Sequence, residues 1–255
     1  SQPMLSPTRV HDLRARLAAG GLSPRDVDLF ELRLARHYDD LLTGLRAVYG
    51  NTPEFDAFLG RLLETLAEHH RRRPEALRIL DLQRQLEPDW LLSPRQVGYV
   101  CYVDRFADTL RGLGERLDHL EALGVTYLHL MPLLAPRPGN SDGGYAVADF
   151  RRVDPRLGTL DELESLAGAL RERGISLCID LVLNHVAREH PWAAAARAGD
   201  RRYQGYFHTF ADRELPDRYE ESLPEVFPTF APGNFTHDDD LGRWVWTTFN
   251  AFQWD

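Results

Sequence analysis

The stretch Cys178-Ile179-Asp180-Leu181-Val182-Leu183-Asn184-His185 decides the fold class of this chain. It is an apolar, strand-like run that ends in an amide and an imidazole, and we predict a strand over Ile175–Val182. Two similar runs precede it, at Val97–Val103 and Val125–Met131. Parallel strands that are buried on both faces are nearly continuous in apolar residues. The three runs therefore predict one parallel α/β sheet.

Helical patterns separate the three predicted strands. A capping box at Thr159–Glu162 begins the helix before the third strand, and Gly174 ends it. The helix between the first two strands is marked by four leucines at helical spacing: Leu110, Leu113, Leu117 and Leu120. This alternation fits a (β/α)8 barrel, and a doubly wound sheet fits it as well. No glycine-rich phosphate loop follows any strand, which favours the barrel.

The first ninety residues predict helices packed in a small bundle. Ser23-Pro24 and Thr52-Pro53 are both helix-start signals, and an apolar face follows each of them. The predicted faces are Phe30, Leu34, Tyr38, Leu41, Leu45 and Val48 in one helix, and Phe55, Phe58, Leu59, Leu62 and Leu66 in the next. The composition changes near Ser93-Pro94. We therefore expect a helical domain over 1–93, the beginning of a barrel over 94–185, and an insertion over 186–255.

The composition excludes several classes of function. The chain has 30 basic and 39 acidic residues and a net charge of −9, which argues against a general nucleic-acid or anionic-membrane surface. Cys101 and Cys178 lie in apolar runs outside any C-x-x-C pair, so we expect reduced core thiols. No run is long enough to span a bilayer, and no signal pattern begins the chain. A cytoplasmic location is the default expectation.

Two loops carry candidate binding residues. His185 follows the third strand, at the strand end where barrel enzymes place their chemistry, although a core histidine is the plainer alternative. Asp142 lies in Asn140–Gly144, a segment whose composition also suits a simple tight turn. Asp180, inside the predicted strand, more often orients an arginine in such a barrel. The spacing of the nearby His, Asp and Glu side chains matches no established metal site, so we predict neither metal nor cofactor.

The motifs together resemble a known family. Asp180-Leu-Val-Leu-Asn184-His185 is similar to the first conserved region of the α-amylase superfamily, glycoside hydrolase family 13. Asp142-Gly-Gly-Tyr145, Leu223-Pro-Glu-Val-Phe227-Pro and the run from Arg243 to Asp255 resemble the N-terminal part of amylosucrases. This resemblance implies a helical N-terminal bundle, the first part of a (β/α)8 TIM barrel, and a domain B inserted after barrel strand three.

The resemblance also implies substrate contacts. The implied substrate-binding residues are Asp142, Tyr145, His185, Gln253, Phe227 and Phe249. The first three would hold the glucosyl ring, Gln253 would reach the substrate from the far end of domain B, and the two phenylalanines would shape the fructosyl and acceptor side. The implied partners are sucrose and an α-glucan acceptor, with no nucleic acid and no membrane. The helical N-terminal region is where we expect contacts in a homo-oligomer.

The implied reaction is glucosyl transfer from sucrose, which releases fructose and builds α-1,4-glucan by a retaining double displacement. The nucleophile and the acid/base are expected after Asp255, so residues 1–255 alone should be inactive. Sucrose hydrolysis, or another glycosidase activity of the superfamily, is the alternative within the same chemistry. A non-catalytic sugar-binding fragment is the alternative from another class.

Overall fold

The computed structural model describes residues 5–255, and its contacts divide the chain into two compact units, Ser1–Ser93 and Pro94–Asp255. Within residues 5–93 the first unit contains four helices: α1 (Pro7–Ala19), α2 (Pro24–Tyr49), α3 (Phe55–Arg72) and α4 (Glu75–Leu86). A short 3₁₀ turn, Trp90–Leu92, follows them. Within residues 5–255, every helix is too short or too polar to span a bilayer.

The two predicted helix starts of the first unit differ in outcome. Helix α2 begins at Pro24, and the Ser23 hydroxyl accepts a hydrogen bond from the Asp26 amide at 3.2 Å, as an N-cap should. Helix α3 begins only at Phe55, and no side chain caps it. The Thr52 carbonyl accepts from the Phe55 amide at 3.1 Å, so Thr52-Pro53 forms a turn before the helix.

The core of the first unit follows steps of four residues. Leu34, Tyr38 and Leu42 are buried on α2, whereas the predicted Leu41 and Leu45 are half-buried and Val48 is exposed. On α3 the buried residues are Phe55, Leu59, Leu63 and Ala67, with Phe58 and Leu62 half-buried and Leu66 exposed. With 3.6 residues per turn, constant steps of four rotate the buried stripe gradually around the helix, away from the straight face that the predicted mixture of three- and four-residue steps describes.

The second unit is built on a parallel three-stranded sheet of order β1-β2-β5. Its strands are β1 (Gly98–Cys101), β2 (Tyr127–Leu130) and β5 (Ser176–Ile179). Each lies inside the predicted apolar run but is shorter than that run. Adjacent in-order parallel strands are what the beginning of a barrel requires.

Helices α5 (Val103–Ala107), α6 (Leu110–Gly114), α7 (Leu117–Ala122) and α8 (Leu160–Glu172) connect these strands. All four predicted core leucines are buried, but they lie on two short helices, α6 and α7, instead of one. Thr159 caps α8 by accepting from the Glu162 amide at 3.1 Å. Gly174 follows the helix with φ 74°, a backbone angle that suits glycine.

The strands are not buried on both faces as predicted. The packed core lies on the helix side of the sheet, where Leu128 and Leu130 are buried. Val100 is 59% exposed and Leu183, beyond β5, is 77% exposed. Among residues 5–255, helices cover only one face of this sheet, which accounts for the difference.

An antiparallel hairpin that the sequence pattern did not predict, β3 (Leu134–Pro136) and β4 (Val147–Val153), follows β2. After β5 the elements are short: β6 (Val186–Ala187), α9 (Pro191–Arg197), α10 (Arg201–Gln204), β7 (Thr209–Phe210), α11 (Glu214–Glu220), β8 (Phe235–Asp238), β9 (Arg243–Trp246) and β10 (Gln253–Trp254). Strands β7, β9 and β8 form one antiparallel sheet, and β10 pairs antiparallel with β6.

Candidate functional site

Three distant segments meet beyond the carboxyl end of β5. The β3–β4 loop contributes Asp142 and Tyr145, the residue before β6 is His185, and β10 contributes Gln253. The decisive element is the β6–β10 pair, in which Gln253 lies opposite Ala187. Because Ala187 is two residues from His185, this pairing brings the amide of Gln253 to the imidazole.

The backbone of the Asp142 loop is tightly turned. Asp142, Gly143 and Gly144 have φ angles of 53°, 65° and 89°, a conformation that strongly favours glycine and tolerates aspartate. The side chains of Asn140 and Ser141 accept from the amides of Asp142 and Gly144 at 3.2 and 3.1 Å. The composition of Asn140–Gly144 therefore suits a tight turn, as the alternative reading expected. The same turn directs the Asp142 carboxylate toward Gln253.

Gln253 is the centre of a buried polar network. Its side chain is fully buried, and its Oε1 accepts from the Asn250 backbone amide at 2.8 Å and from Asn250 Nδ2 at 2.9 Å. Those two donors fix the orientation of the Gln253 amide, so Nε2 faces Asp142 and donates to its Oδ2 at 3.0 Å. The bond to a carboxylate is charge-assisted and stronger than a neutral one.

His185 is buried, and its environment sets its tautomer. Its Nε2 lies 3.0 Å from the carbonyl oxygen of Tyr145, and its Nδ1 lies 2.6 Å from Asn184 Nδ2. The tautomer with a proton on Nε2 satisfies both contacts, and we assign it on that ground. Gln253 Nε2, 3.1 Å from the same ring nitrogen, is then a second donor beside it and not a hydrogen-bond partner.

Burial lowers the pKa of His185, and the Tyr145 carbonyl, Asp255 and Asp142 oppose this effect. The imidazole is therefore neutral at pH 7. Burial also raises the pKa of Asp255, against the stabilising hydrogen bonds from Thr248. The site thus holds a neutral imidazole near two carboxyl groups, an arrangement suited to hydroxyl groups of an uncharged ligand.

Tyr145 and Asp180 form the other side of the site. Tyr145 is half-buried against the core of the sheet, and its hydroxyl donates to Asp180 Oδ2 at 3.5 Å. Asp180 Oδ1 lies 3.1 Å from His129 Nε2 on β2. Among residues 5–255 the partners of Asp180 are this histidine and this tyrosine, and the expectation that it orients an arginine stays a prediction. Asp180 also lies just beyond β5 and not inside it.

Aromatic rings continue from His185. The ring centroids of His185 and Phe249 are 5.0 Å apart, and those of Phe249 and Phe227 are 6.4 Å apart. The structure therefore brings all six sequence-predicted binding residues into one connected group. Asp142, His185 and Gln253 form its polar part, whereas Tyr145, Phe249 and Phe227 form its aromatic part.

Three carboxylates outside this network are engaged by arginines. Glu189 accepts from Arg137 at 2.7 Å, and Asp238 and Asp240 both accept from Arg188. Asp238 is only 7% exposed and ends β8, so its carboxylate belongs to the packed part of this unit. Residues 5–255 contain no cluster of three His, Cys, Asp or Glu side chains that could hold a metal ion.

Comparison with known proteins identifies the family. The model of the alpha-amylase catalytic domain matches residues 100–253, which include the polar network and the aromatic rings. The chain belongs to the alpha-amylase family.

Several relatives match about two thirds of this chain. Trehalose synthase from Pimelobacter sp. (strain R48) is 33% identical over 176 residues, which are 66% of this chain and 30% of that protein. Trehalose synthase/amylase TreS from Mycolicibacterium smegmatis is 35% identical over 180 residues, which are 68% of this chain and 29% of that protein. The chain thus spans less than a third of the length of these relatives.

Solved structures agree with this assignment. The trehalulose synthase MutB from Pseudomonas mesoacidophila MX-45 has a TM-score of 0.55 and 28% identity, over 63% of this chain and 29% of its own. A MutB mutant in complex with the substrate sucrose gives the same TM-score and identity, over 64% of this chain and 30% of its own.

Sequence reasoning missed four side chains that support the site of this alpha-amylase-family chain. Asn250 holds Gln253, His129 holds Asp180, and the Tyr102 hydroxyl donates to the Gly143 carbonyl at 3.0 Å. Asp255 is the fourth. The three-residue spacing of Asn250 and Gln253 is a local signal for one of these contacts. The contacts of His129 and Tyr102 join segments that are far apart in sequence and leave no pattern.

Proposed function

We propose that the second unit forms the donor-sugar wall of an enzyme that transfers a glucosyl group from sucrose. The observation that carries this proposal is the buried network in which Gln253 joins Asp142 beside His185 at the strand end. Such a cluster of preorganised donors and acceptors suits the hydroxyl groups of a sugar. The MutB mutant solved with the substrate sucrose supports this choice of donor.

Each side chain has a proposed task. Asp142 accepts hydrogen bonds from the hydroxyls of the glucosyl ring, because a carboxylate accepts more strongly than a neutral group. His185 bonds the primary hydroxyl of that ring, and the fully buried Gln253 holds the Asp142 carboxylate in position beside it. Tyr145 packs against the apolar face of the ring. Phe249 and Phe227 line the side on which the fructosyl group leaves and the acceptor enters.

The proposed chemistry is a retaining double displacement. A carboxylate nucleophile attacks the anomeric carbon while an acid protonates the glycosidic oxygen, and fructose leaves. An acceptor hydroxyl then attacks the covalent glucosyl intermediate, and the same acid/base group takes its proton. In this proposal both carboxyl groups lie outside residues 1–255. The residues within 1–255 bind and orient the donor, and domain B, over 186–255, supplies Gln253, Phe249 and Phe227.

The finer proposal is an amylosucrase-like enzyme that builds α-1,4-glucan. The similarity of the run Arg243–Asp255 to amylosucrases supports it. The relatives named trehalose synthase and trehalulose synthase favour a second candidate, in which the glucosyl group returns to the released sugar as an isomeric disaccharide. Sucrose hydrolysis differs from both in using water as acceptor. The products of the reaction separate these candidates.

The test uses the natural protein that contains residues 1–255, incubated with sucrose. Chromatography of fructose, glucose, disaccharide isomers and glucan identifies the reaction. Asp142→Asn should lower kcat/KM for sucrose at least tenfold, since a charge-assisted bond contributes about 1.5–3 kcal/mol. Asp239→Asn is the matched control, because the side chain of Asp239 is 99% exposed, and it should stay within about twofold of the natural protein. Absence of fructose release, or equal effects of the two variants, would refute the proposal.

A further inference from the structure

The row of aromatic rings that begins at His185 does not end at Phe227. Phe230 stacks on Phe227 with a centroid distance of 4.8 Å and an interplanar angle of 23°. Its side chain is 70% exposed, far more than that of Phe227, which is half-buried. One face of the Phe230 ring is therefore covered by Phe227, and the other is available to a ligand.

Two sets of hydrogen bonds fix the loop that carries Phe230. The Ala231 amide donates to the Phe227 carbonyl at 2.9 Å, which closes a tight turn around Phe230. Below this turn, Asn234 is 2% exposed, and its Nδ2 donates to the Pro224 carbonyl at 3.0 Å. The Asn234 amide in turn donates to Glu220 Oε1 at 3.0 Å. The ring is thus presented by a braced turn, which reduces the entropy lost when a ligand binds.

A single exposed apolar side chain needs no special explanation. Phe230 differs because its ring continues a row that starts at the candidate donor site. The successive centroid distances from His185 outward are 5.0, 6.4 and 4.8 Å, steps comparable to the size of one hexosyl unit. Aromatic rings bury large apolar areas and carry no charge, which suits the C–H face of a neutral sugar.

We propose that Phe230 forms an outer acceptor subsite, where it stacks against a hexosyl ring of an α-glucan acceptor beyond the rings held near Phe249 and Phe227. This inference rests on the proposed glucosyl transfer and adds a residue that sets the preference for long over short acceptors. Long acceptors reach Phe230, whereas water and short acceptors do not.

The test compares variants of the natural protein that contains residues 1–255, with sucrose as donor and maltoheptaose or maltose as acceptor. Phe230→Ala should raise the maltoheptaose concentration at half-maximal transfer about five- to tenfold, equivalent to roughly 1–1.4 kcal/mol. The value for maltose should change less than twofold. Phe230→Trp should return the maltoheptaose concentration at half-maximal transfer to about the value of the natural protein. Leu160→Ala is the control, because Leu160 is 50% exposed on α8, and it should change neither value.

The outcomes separate this inference from the proposed function. If Phe230→Ala raises the half-maximal concentrations of maltose and maltoheptaose equally, or raises KM for sucrose by the same factor, the outer subsite is overturned. The proposed glucosyl transfer still stands in that case. If the natural protein does not use sucrose, calorimetric titration with maltoheptaose decides the inference alone. Weaker binding by Phe230→Ala then supports the subsite, and equal affinity, or no binding by the natural protein, overturns it.

Discussion

Replacing Gln253 with leucine should destabilise the second unit by about 2–4 kcal/mol. Gln253 is fully buried, and the change removes the acceptor for Asn250 N and Nδ2 and the donor for Asp142. Leaving a buried donor unpaired costs about 1–3 kcal/mol. Asn250 is 6% exposed, so water cannot replace its lost partner. The apolar leucine side chain recovers about 1 kcal/mol or more through burial.

The measurement is urea unfolding of purified residues 1–255 followed by tryptophan fluorescence. Four of the five tryptophans lie in the second unit, so its transition dominates the signal. Gln204→Leu is the matched control, because Gln204 is half-buried and its Nε2 donates one bond, to the Ala196 carbonyl at 3.0 Å. It should lose no more than about 1 kcal/mol.

Gln253→Glu provides a second arm that isolates the contact with Asp142. The new carboxylate still accepts from Asn250 but places a negative charge beside Asp142, where the native amide donates. Like charges at this distance repel, so the variant should be destabilised at neutral pH and should recover as acid protonates the pair. A loss below about 1 kcal/mol for Gln253→Leu, or no pH dependence for Gln253→Glu, would refute the reasoning.

Three further predictions follow from the structure. Gly144→Ala should lose about 1–3 kcal/mol of stability, because φ is 89° and a Cβ would lie 3.1 Å from Pro132 Cβ and O. Gly168→Ala is the control, because Gly168 lies in open space on α8, and this variant should gain up to about 1 kcal/mol. Equal urea midpoints for the two variants would contradict the prediction. Burial lowers the pKa of His70, His185 and His190 below 6.5, so these histidines bind protons at a higher pH in the unfolded chain than in the folded one. Their contribution to stability is complete above pH 6.5 and is lost as pH falls through the folded pKa, so urea midpoints that rise from about pH 7.5 to 5.5 would be inconsistent with it. Purified residues 1–255 should show no sucrose turnover, and measurable fructose release would show that a nucleophile lies within them.

The helices and the β3–β4 hairpin show how much of the fold a local sequence pattern can predict. Ser23-Pro24 and Thr159–Glu162 predicted the starts of α2 and α8, because a cap acts over three or four residues. The single helix predicted over Leu110–Leu120 became two, since side-chain periodicity does not register a break between helices of similar face. The β3–β4 hairpin left no alternating pattern, because register shifts interrupt its pairing.

The sequence by itself determined the three parallel strands, the helices between them, and the place of His185 beyond the third strand. These follow from apolar periodicity and capping, which act over a few residues. Only the tertiary structure decided that Gln253 reaches His185, 68 positions away, and Asp142, 111 positions away. The two-residue strands β6 and β10 that join them are too short to show any periodicity. Their pairing depends on long-range packing, and so do the buried network and the aromatic row that ends at Phe230.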